Sequence, residues 1–400
     1  MATDERTFDR IDWAETDRSR TPGATDLLAG SLFAALAALF VYDYLAVPEG
    51  PDLLNDVVLG HRLRWDPAGF DWLVLLSVVV FVTVVVVPLA TNRTLARRYW
   101  RRLRTDRLAL ASLAYLAAFV FLGTFGPALL GRPDIQPALE FQPPVLMRVE
   151  STAVFECVGR VTSVGGTEYC HGSWQYPLGT DTLGRAMSTR LVQGMQVSLL
   201  MALVASMLMV PIAALVGTVA GYVGGRVDDV LMRYVDVQQT IPAVLVYLVL
   251  VYLFSSSLFL IVLVFGLLSW GGLARMIRGE VLQRKQETYI TAARAAGASR
   301  WAVVRHHLLP NASNTVVTAV TIQIPTLILA EAGLGYLGIG ERYSRSFGQL
   351  IQVGLDPTSV DFTQYPWMAT EAAVLLAVTA LAFNVLGDAL RDAMDPRGER

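Results

Sequence analysis

The chain has 400 residues, of which 54% are hydrophobic and only 16% are charged, and its mean hydropathy is +0.47. Soluble domains carry charge on about a quarter of their residues, so this composition excludes an ordinary soluble domain and indicates a protein of the lipid bilayer. The net charge of −2 gives no sign of a nucleic-acid partner.

Apolar runs long enough to cross a membrane recur along the chain. A spanning helix needs about 20 predominantly apolar residues. Six runs meet this requirement singly: 27–47, 72–90, 108–130, 197–223, 312–338 and 367–387. The run 240–274 is too long for one crossing at about 1.5 Å per residue, and the serines at 255–257 predict the tip of a helical hairpin. The sequence therefore predicts an all-α integral membrane protein with eight spans.

Basic residues are distributed unevenly between the loops. With the N-terminus inside, 23 of the 32 basic residues lie on the cytoplasmic side, which the positive-inside rule favours. We therefore expect a multi-pass plasma-membrane protein with both termini in the cytoplasm. In this topology 1–26 is a cytoplasmic tail, 131–195 is the large external segment and 276–311 is the largest cytoplasmic loop. The amphipathic helix predicted over 224–239 is expected to lie along the membrane surface, with Asp228 on its polar face.

The sequence patterns of common catalytic and metal sites do not occur in this chain. Lys285 is its single lysine and follows no GxxxxG pattern, so a Walker loop for ATP cannot be built. The four histidines lack HExxH spacing, and there is no GxSxG motif. We therefore expect no enzymatic activity, catalytic residue, metal site or cofactor in this chain.

The segment from Glu287 to Asn311 has a composition suited to docking against a partner. Alanines at four positions between 292 and 296 give its first helix a shallow surface that fits closely into a groove. Gly297 is expected to end this helix in the left-handed conformation, and Ser299 to cap a second short helix that Pro310 stops before the seventh span. The alternative interpretation is an ordinary interfacial loop between two spans.

This segment closely resembles the coupling loop of permease subunits in importers driven by ATP-binding cassette (ABC) proteins. The family pattern is an E-A-A triplet, a glycine four residues after the last alanine, and a terminal L-P. The corresponding residues here are Thr291-Ala292-Ala293, Gly297 and Leu309-Pro310. Thr291 departs from the pattern, because the family usually carries glutamate there, and this weakens any salt bridge expected at that position.

Three further stretches resemble the dipeptide, oligopeptide and nickel branch of these permeases: 177–199, 221–236 and 382–396. The resemblance covers about 95–400 and implies a six-span type I ABC importer permease core, with 27–94 as an additional two-span hairpin. The long external segment is similar to that of the second permease subunit type.

The resemblance implies that the chain forms half of a translocation pore for peptides, while partner subunits bind ATP. The implied partners are a second permease subunit, two cytoplasmic ABC ATPase subunits and an external substrate-binding protein. The implied ATPase-coupling residues are Glu287, Thr291, Ala292, Ala293, Gly297, Leu309 and Pro310. Nickel or another small solute as cargo, an exporter subunit, and a non-transporting membrane scaffold are the alternatives.

Two features within the spans predict contacts. Gly217, Gly221 and Gly225 recur at four-residue spacing, which allows close helix packing within the bundle or against a partner permease. Glu331 follows a long uncharged stretch of the seventh span, where an unpaired carboxylate is costly. It is either a gate or interface residue, or a residue near the outer boundary that reaches water or a backbone donor.

The external segment contains both cysteines of the chain, Cys157 and Cys170. An oxidising exterior favours a disulfide, and metal binding with His171 is the alternative, although it leaves a zinc site one ligand short. Further along, Thr180 or Asp181 is predicted to cap a helix that lies on the outer membrane surface. Such a helix would either contact a substrate-delivering protein or close the external segment.

Overall fold

A computed structural model describes residues 24–46, 54–58, 61–65, 69–91, 93–131, 134–304, 308–340, 345–358 and 360–394. Most of the predicted tail 1–26 lies outside these residues. The chain divides into two compact units, with the division between Asn92 and Arg93.

The first unit contains two apolar helices and a strand hairpin. Its elements are α1 (Ala24–Ala46), β1 (Leu54–Val58), β2 (His61–Trp65), α2 (Gly69–Phe81), a π-helical segment (Val82–Val86) and α3 (Val87–Thr91). The indole N–H of Trp72 donates to the Asp43 carboxylate at 3.1 Å, and the ring of Phe40 packs edge-on against Trp72. This hydrogen bond gives a partner to the one charged residue of the first predicted span.

The second unit consists mainly of long helices. They are α4 (Arg93–Leu103), α5 (Arg107–Leu130), α6 (Met187–Val223), α7 (Gly225–Thr240), α8 (Ala243–Phe254), α9 (Leu258–Leu268), α10 (Gly271–Arg284), α11 (Thr288–Ala295), α12 (Arg300–Val303), α13 (Leu309–Tyr336), α14 (Phe347–Leu355) and α15 (Trp367–Met394). In the described residues of both units, seven helical stretches are long and apolar enough to cross a membrane, and α7 with α8 forms an eighth as a pair bent by 66°. The predicted α-helical membrane architecture is confirmed.

The predicted hairpin of 240–274 forms, but its second arm is longer than expected. Ser257 caps α9, since its hydroxyl accepts a hydrogen bond from the Leu260 N–H at 3.1 Å. After a break at Ser269 the chain continues as α10 to Arg284, beyond the predicted end at 274. The predicted cytoplasmic segment 276–311 therefore includes the last part of α10 as well as α11 and α12, and the connection between α10 and α13 starts at Lys285.

Helices α6 and α10 pack closely along a glycine face. A Cβ on Gly217 would lie 2.9 Å from the Cβ of Ile277, and one on Gly221 would lie 2.9 Å from the Arg278 carbonyl oxygen. Gly225 has open space beside it and takes no part in this contact. The first two glycines thus bring helices of the same chain together, in agreement with the intramolecular alternative.

The main apolar core lies between α5, α6, α13, α14 and α15. Its fully buried members include Phe347 and Ala372, and Phe347 packs across Gly194. The Tyr115 hydroxyl lies 2.8 Å from the Thr379 hydroxyl and joins α5 to α15.

The external segment forms a small antiparallel sheet that the all-α prediction did not include. Its strands are β3 (Arg148–Glu150), β4 (Val161–Val164) and β5 (Thr167–His171), in the order β3-β5-β4. A disulfide joins Cys157 to Cys170, as predicted, and buried Cys170 belongs to an apolar cluster with Met187 and Trp367. The cluster attaches the sheet to the starts of α6 and α15.

The surface helix predicted to start at Thr180 or Asp181 is absent from this described stretch, and that prediction is wrong. The Asp181 carboxylate accepts hydrogen bonds from the N–H groups of Leu183 and Arg185, which closes a tight turn instead. Thr180 is buried, and its hydroxyl accepts a hydrogen bond from the Gln142 N–H at 2.8 Å and donates one to the Leu139 carbonyl, so it bonds to a distant part of the chain instead of capping a helix. Helix α6 begins only at Met187 and runs without interruption into the span.

Candidate coupling site

Helix α11 presents small side chains on an open face and is anchored by the opposite face. Ile290 is fully buried, whereas Thr291 and Ala292 are exposed and Ala293 is partly exposed. Glu287 precedes the helix with extended backbone geometry, and its side chain makes no capping hydrogen bond. An exposed surface of this kind, without long side chains in its centre, allows the backbone of a partner helix or groove to come close.

The turn after α11 has the geometry predicted from the sequence. Gly297 has φ +89°, and the Ala298 N–H donates to the Ala293 carbonyl at 3.0 Å. This 6→1 hydrogen bond is typical of a Schellman C-cap. The Ser299 hydroxyl then accepts a hydrogen bond from the Ala302 N–H at 3.2 Å and caps α12. Both backbone predictions are confirmed.

Leu309 and Pro310 begin α13. Pro310 lies in its first turn, where the missing N–H of proline costs no helical hydrogen bond. The expectation that Pro310 ends the preceding helix is wrong, because Pro310 lies in the first turn of α13 instead. The pattern still marks the boundary between the connection and the span.

Two ion pairs, which the sequence analysis missed, fix the helices that lead to this connection. Arg278 of α10 makes a bidentate contact with Asp228 of α7, with both N–O distances 2.5 Å. Arg275 of α10 likewise pairs with Asp236 of α7. Asp228 is buried rather than on a face turned to water, so the prediction for the polar face of 224–239 is wrong at this position. The signal was the presence of two arginines just beyond an apolar run and of two aspartates in the preceding helix.

Glu331 lies inside the bundle, not at a boundary that reaches water. It is 1% exposed, and its carboxylate lies beside the Ser346 side chain, immediately before α14. Its Oε2 atom has no hydrogen-bond partner within the residues that the structure describes. Glu331 is not close to α11, so the predicted gate or interface residue and the predicted coupling residues form separate sites: the open face of α11 and a buried polar position near α14.

Sequence comparisons place this architecture in a family. The model for the binding-protein-dependent transport system inner membrane component matches residues 209–400, and that for the N-terminal TM domain of oligopeptide transport permease C matches residues 94–144. The dipeptide transport system permease protein DppC of Bacillus subtilis is 33% identical over 304 residues, which cover 75% of this chain and 85% of that protein. The oligopeptide transport system permease protein OppC of the same organism is 34% identical over 220 residues, or 55% of this chain and 71% of that protein.

Among solved structures, an inward-facing structure of the MetNI methionine ABC transporter contains a chain that aligns with 52% of this chain and 98% of its own length. The TM-score is 0.43 and the sequence identity 24%. The match to the family model over 209–400 includes Gly217, Gly221, α10 and the exposed α11. The chain belongs to the family of binding-protein-dependent transport system inner membrane components.

Proposed function

We propose that this chain is a permease subunit of an ABC importer for peptides and forms half of its translocation pathway. The exposed small-residue face of α11, anchored by buried Ile290, carries this proposal. Such a face offers a docking surface to an ATPase, and the relatives named as dipeptide and oligopeptide permeases support peptide as the cargo. The ATP is bound by the partner ATPases and not by this chain.

Movement of the ATPases would reach the pore through stiff connections. A push on Ala292 and Ala293 is transmitted to the connection between α10 and α13. Helix α10 is tied to α7 by the Arg278–Asp228 pair and packs without space against α6 at Gly221. Because closely packed helices move as rigid bodies, displacement of α11 shifts these helices together and opens the pathway alternately to each side.

The proposal also includes the membrane topology, the other partners, the N-terminal hairpin and Glu331. Both termini and α11 lie in the cytoplasm, the sheet of the external segment faces the substrate-binding protein, and a second permease completes the pore. The hairpin of 27–94 is an accessory element in addition to the core of 95–400. Glu331 is a structural or gating residue that holds α13 against the segment before α14, through Ser346.

The proposal is tested in proteoliposomes that contain this chain, the second permease and two ATPases, with the binding protein added outside. Uptake of a labelled dipeptide and ATP hydrolysis are measured together. Replacing Ala292 by tryptophan fills the docking surface and is expected to reduce uptake at least about tenfold, since a lost close-packed contact of about 1.4 kcal/mol has that effect. Ala377→Trp, at an exposed position of α15, is the matched control and retains uptake.

Each alternative gives a different result in the same assay. Uptake of nickel in place of peptide contradicts the cargo assignment, and extrusion of peptide contradicts the import direction. Intact coupled uptake by Ala292→Trp contradicts the role of α11, and hydrolysis that never drives transport under any condition supports a scaffold.

A further inference from the structure

A cationic cavity lies where the end of α6, the end of α10 and the α11–α12 connection meet. Its volume is about 360 Å³, in the range of small-molecule sites. It is lined by Tyr222, Val223, Lys285, Arg294, Ala298 and Arg300. Three of these six residues are cations and none is acidic, so the cavity has a strong preference for an anion.

The cations are held at the cavity by contacts with α6. The Lys285 ammonium donates to the Tyr222 carbonyl at 2.7 Å and lies 5.8 Å from the centre of the Tyr222 ring. The Arg294 guanidinium lies 5.2 Å from the centre of the same ring. Two like charges on one ring repel each other, and this repulsion is relieved when an anion binds between them.

Neither Arg294 nor Arg300 forms an ion pair with a carboxylate in the part of the chain that the structure covers. A guanidinium has five donors in a planar fork that fits the oxygens of a phosphate. The two arginines are therefore available to a ligand, while Lys285 has donors left after its bond to Tyr222.

Exposed apolar side chains occur on the elements that line the cavity and on a helix that follows one of them. Val223, which lines the cavity, is 51% exposed, and Trp301, next to Arg300, is 67% exposed. Val230, on the neighbouring helix α7, is 66% exposed. Apolar side chains beside a cationic pocket suit an amphiphile, whose phosphate enters the pocket while its acyl chains lie along the helices. An acidic segment of a partner protein would pair with the charges but would gain nothing from these exposed apolar side chains.

We infer that this cavity binds the phosphate of an anionic phospholipid. The bound phosphate would bridge Lys285 at the end of α10 with Arg294 and Arg300 of the connection, and so fasten α11 to the ends of two spans. This inference goes beyond the proposed function, because it concerns a lipid site and holds for any cargo.

The test measures lipid retention by the purified full-length protein in nanodiscs of phosphatidylcholine, with and without phosphatidylglycerol, by native mass spectrometry. The wild type is expected to retain phosphatidylglycerol. The double variant Arg294→Gln/Arg300→Gln is expected to bind it about thirtyfold more weakly, which corresponds to about 1 kcal/mol for each basic residue. The matched control Arg226→Gln/Arg233→Gln removes two exposed arginines of α7 and retains the lipid.

Further measurements distinguish loss of the inferred site from loss of folding, and a lipid ligand from other ligands. Arg294→Lys/Arg300→Lys keeps the charges and is expected to recover most of the binding. Protection of the connection from hydrogen exchange by inorganic phosphate in phosphatidylcholine alone, without lipid retention in the mixed nanodiscs, supports a phosphate site but overturns its lipid source. Equal retention of phosphatidylglycerol by the wild type and the glutamine variant overturns the inference, even if the variant no longer binds the ATPase subunit.

Discussion

Replacement of Gly297 by alanine isolates the backbone requirement of the turn after α11. At φ +89° an alanine is in the left-handed region, which costs an L-residue about 1–2 kcal/mol. Apart from Gly297 itself and its two chain neighbours, no atom in the described part of the chain lies within 4 Å of the position of the new Cβ, so steric overlap adds nothing. A cost of about 1–2 kcal/mol reduces the population of the closed turn relative to open forms by roughly five- to thirtyfold.

Two variants serve as controls for this effect. Gly279→Ala adds the same methyl group in the middle of α10, where there is also open space and the backbone is helical, so no destabilisation is expected. Gly297→Asn places at the turn a residue that adopts the left-handed conformation more readily, and it is expected to recover part of the loss.

The measurement is hydrogen exchange of the peptide that contains Ala298, together with the ratio of dipeptide uptake to ATP hydrolysis in proteoliposomes. The Ala298 N–H is bonded to the Ala293 carbonyl and reports the turn directly. We expect Gly297→Ala to exchange roughly five- to thirtyfold faster and to transport fewer peptides per ATP. Exchange as slow as in the wild type refutes the argument from the backbone. Faster exchange with an unchanged transport ratio refutes the link from the turn to coupling.

Three further predictions concern stability. In a double-mutant cycle, Asp228→Ala and Arg278→Ala are expected to show a coupling energy of about 0.5–3 kcal/mol in chemical unfolding, since the pair is partly buried, and additive effects would show that it contributes nothing. Gly221→Leu forces α6 away from α10 and is expected to lower the free energy of unfolding by about 1–3 kcal/mol, whereas an unchanged melting curve would contradict the close packing. Thiol labelling of the denatured, non-reduced protein is expected to find neither Cys157 nor Cys170 free, and reduction to cost about 3 kcal/mol, so two reactive thiols before reduction would exclude the disulfide.

Features set by short-range chemistry were predictable from the sequence. The apolar runs indicate the spans because the bilayer requires a minimum length of continuous apolar helix. Gly297 and Ser299 have the predicted conformations because a C-cap and an N-cap depend on only a few neighbouring residues. The small residues of α11 are exposed as expected, since Ile290 provides the single buried anchor.

Features set by contacts distant in the sequence were not predictable from the sequence alone. Arg275 and Arg278 follow the apolar run that ends at 274, but they pair with the distant Asp236 and Asp228 and the helix continues to Arg284. Thr180 is a good N-cap residue by type, yet its hydroxyl bonds to the distant Leu139 carbonyl. In each case a side chain that suggests a local boundary is satisfied by a partner many residues away.

The docking of α11 on an ATPase from the cytoplasmic side is the central claim, and a cysteine at Ala292 tests it most directly. The two native cysteines are joined to each other, so the introduced thiol is the one that reacts with a membrane-impermeant maleimide. We predict labelling in inside-out vesicles stripped of ATPase, protection when the ATPase subunits are added back, and no labelling in right-side-out vesicles. Labelling from the outside, or equal labelling with and without the ATPase, would contradict it.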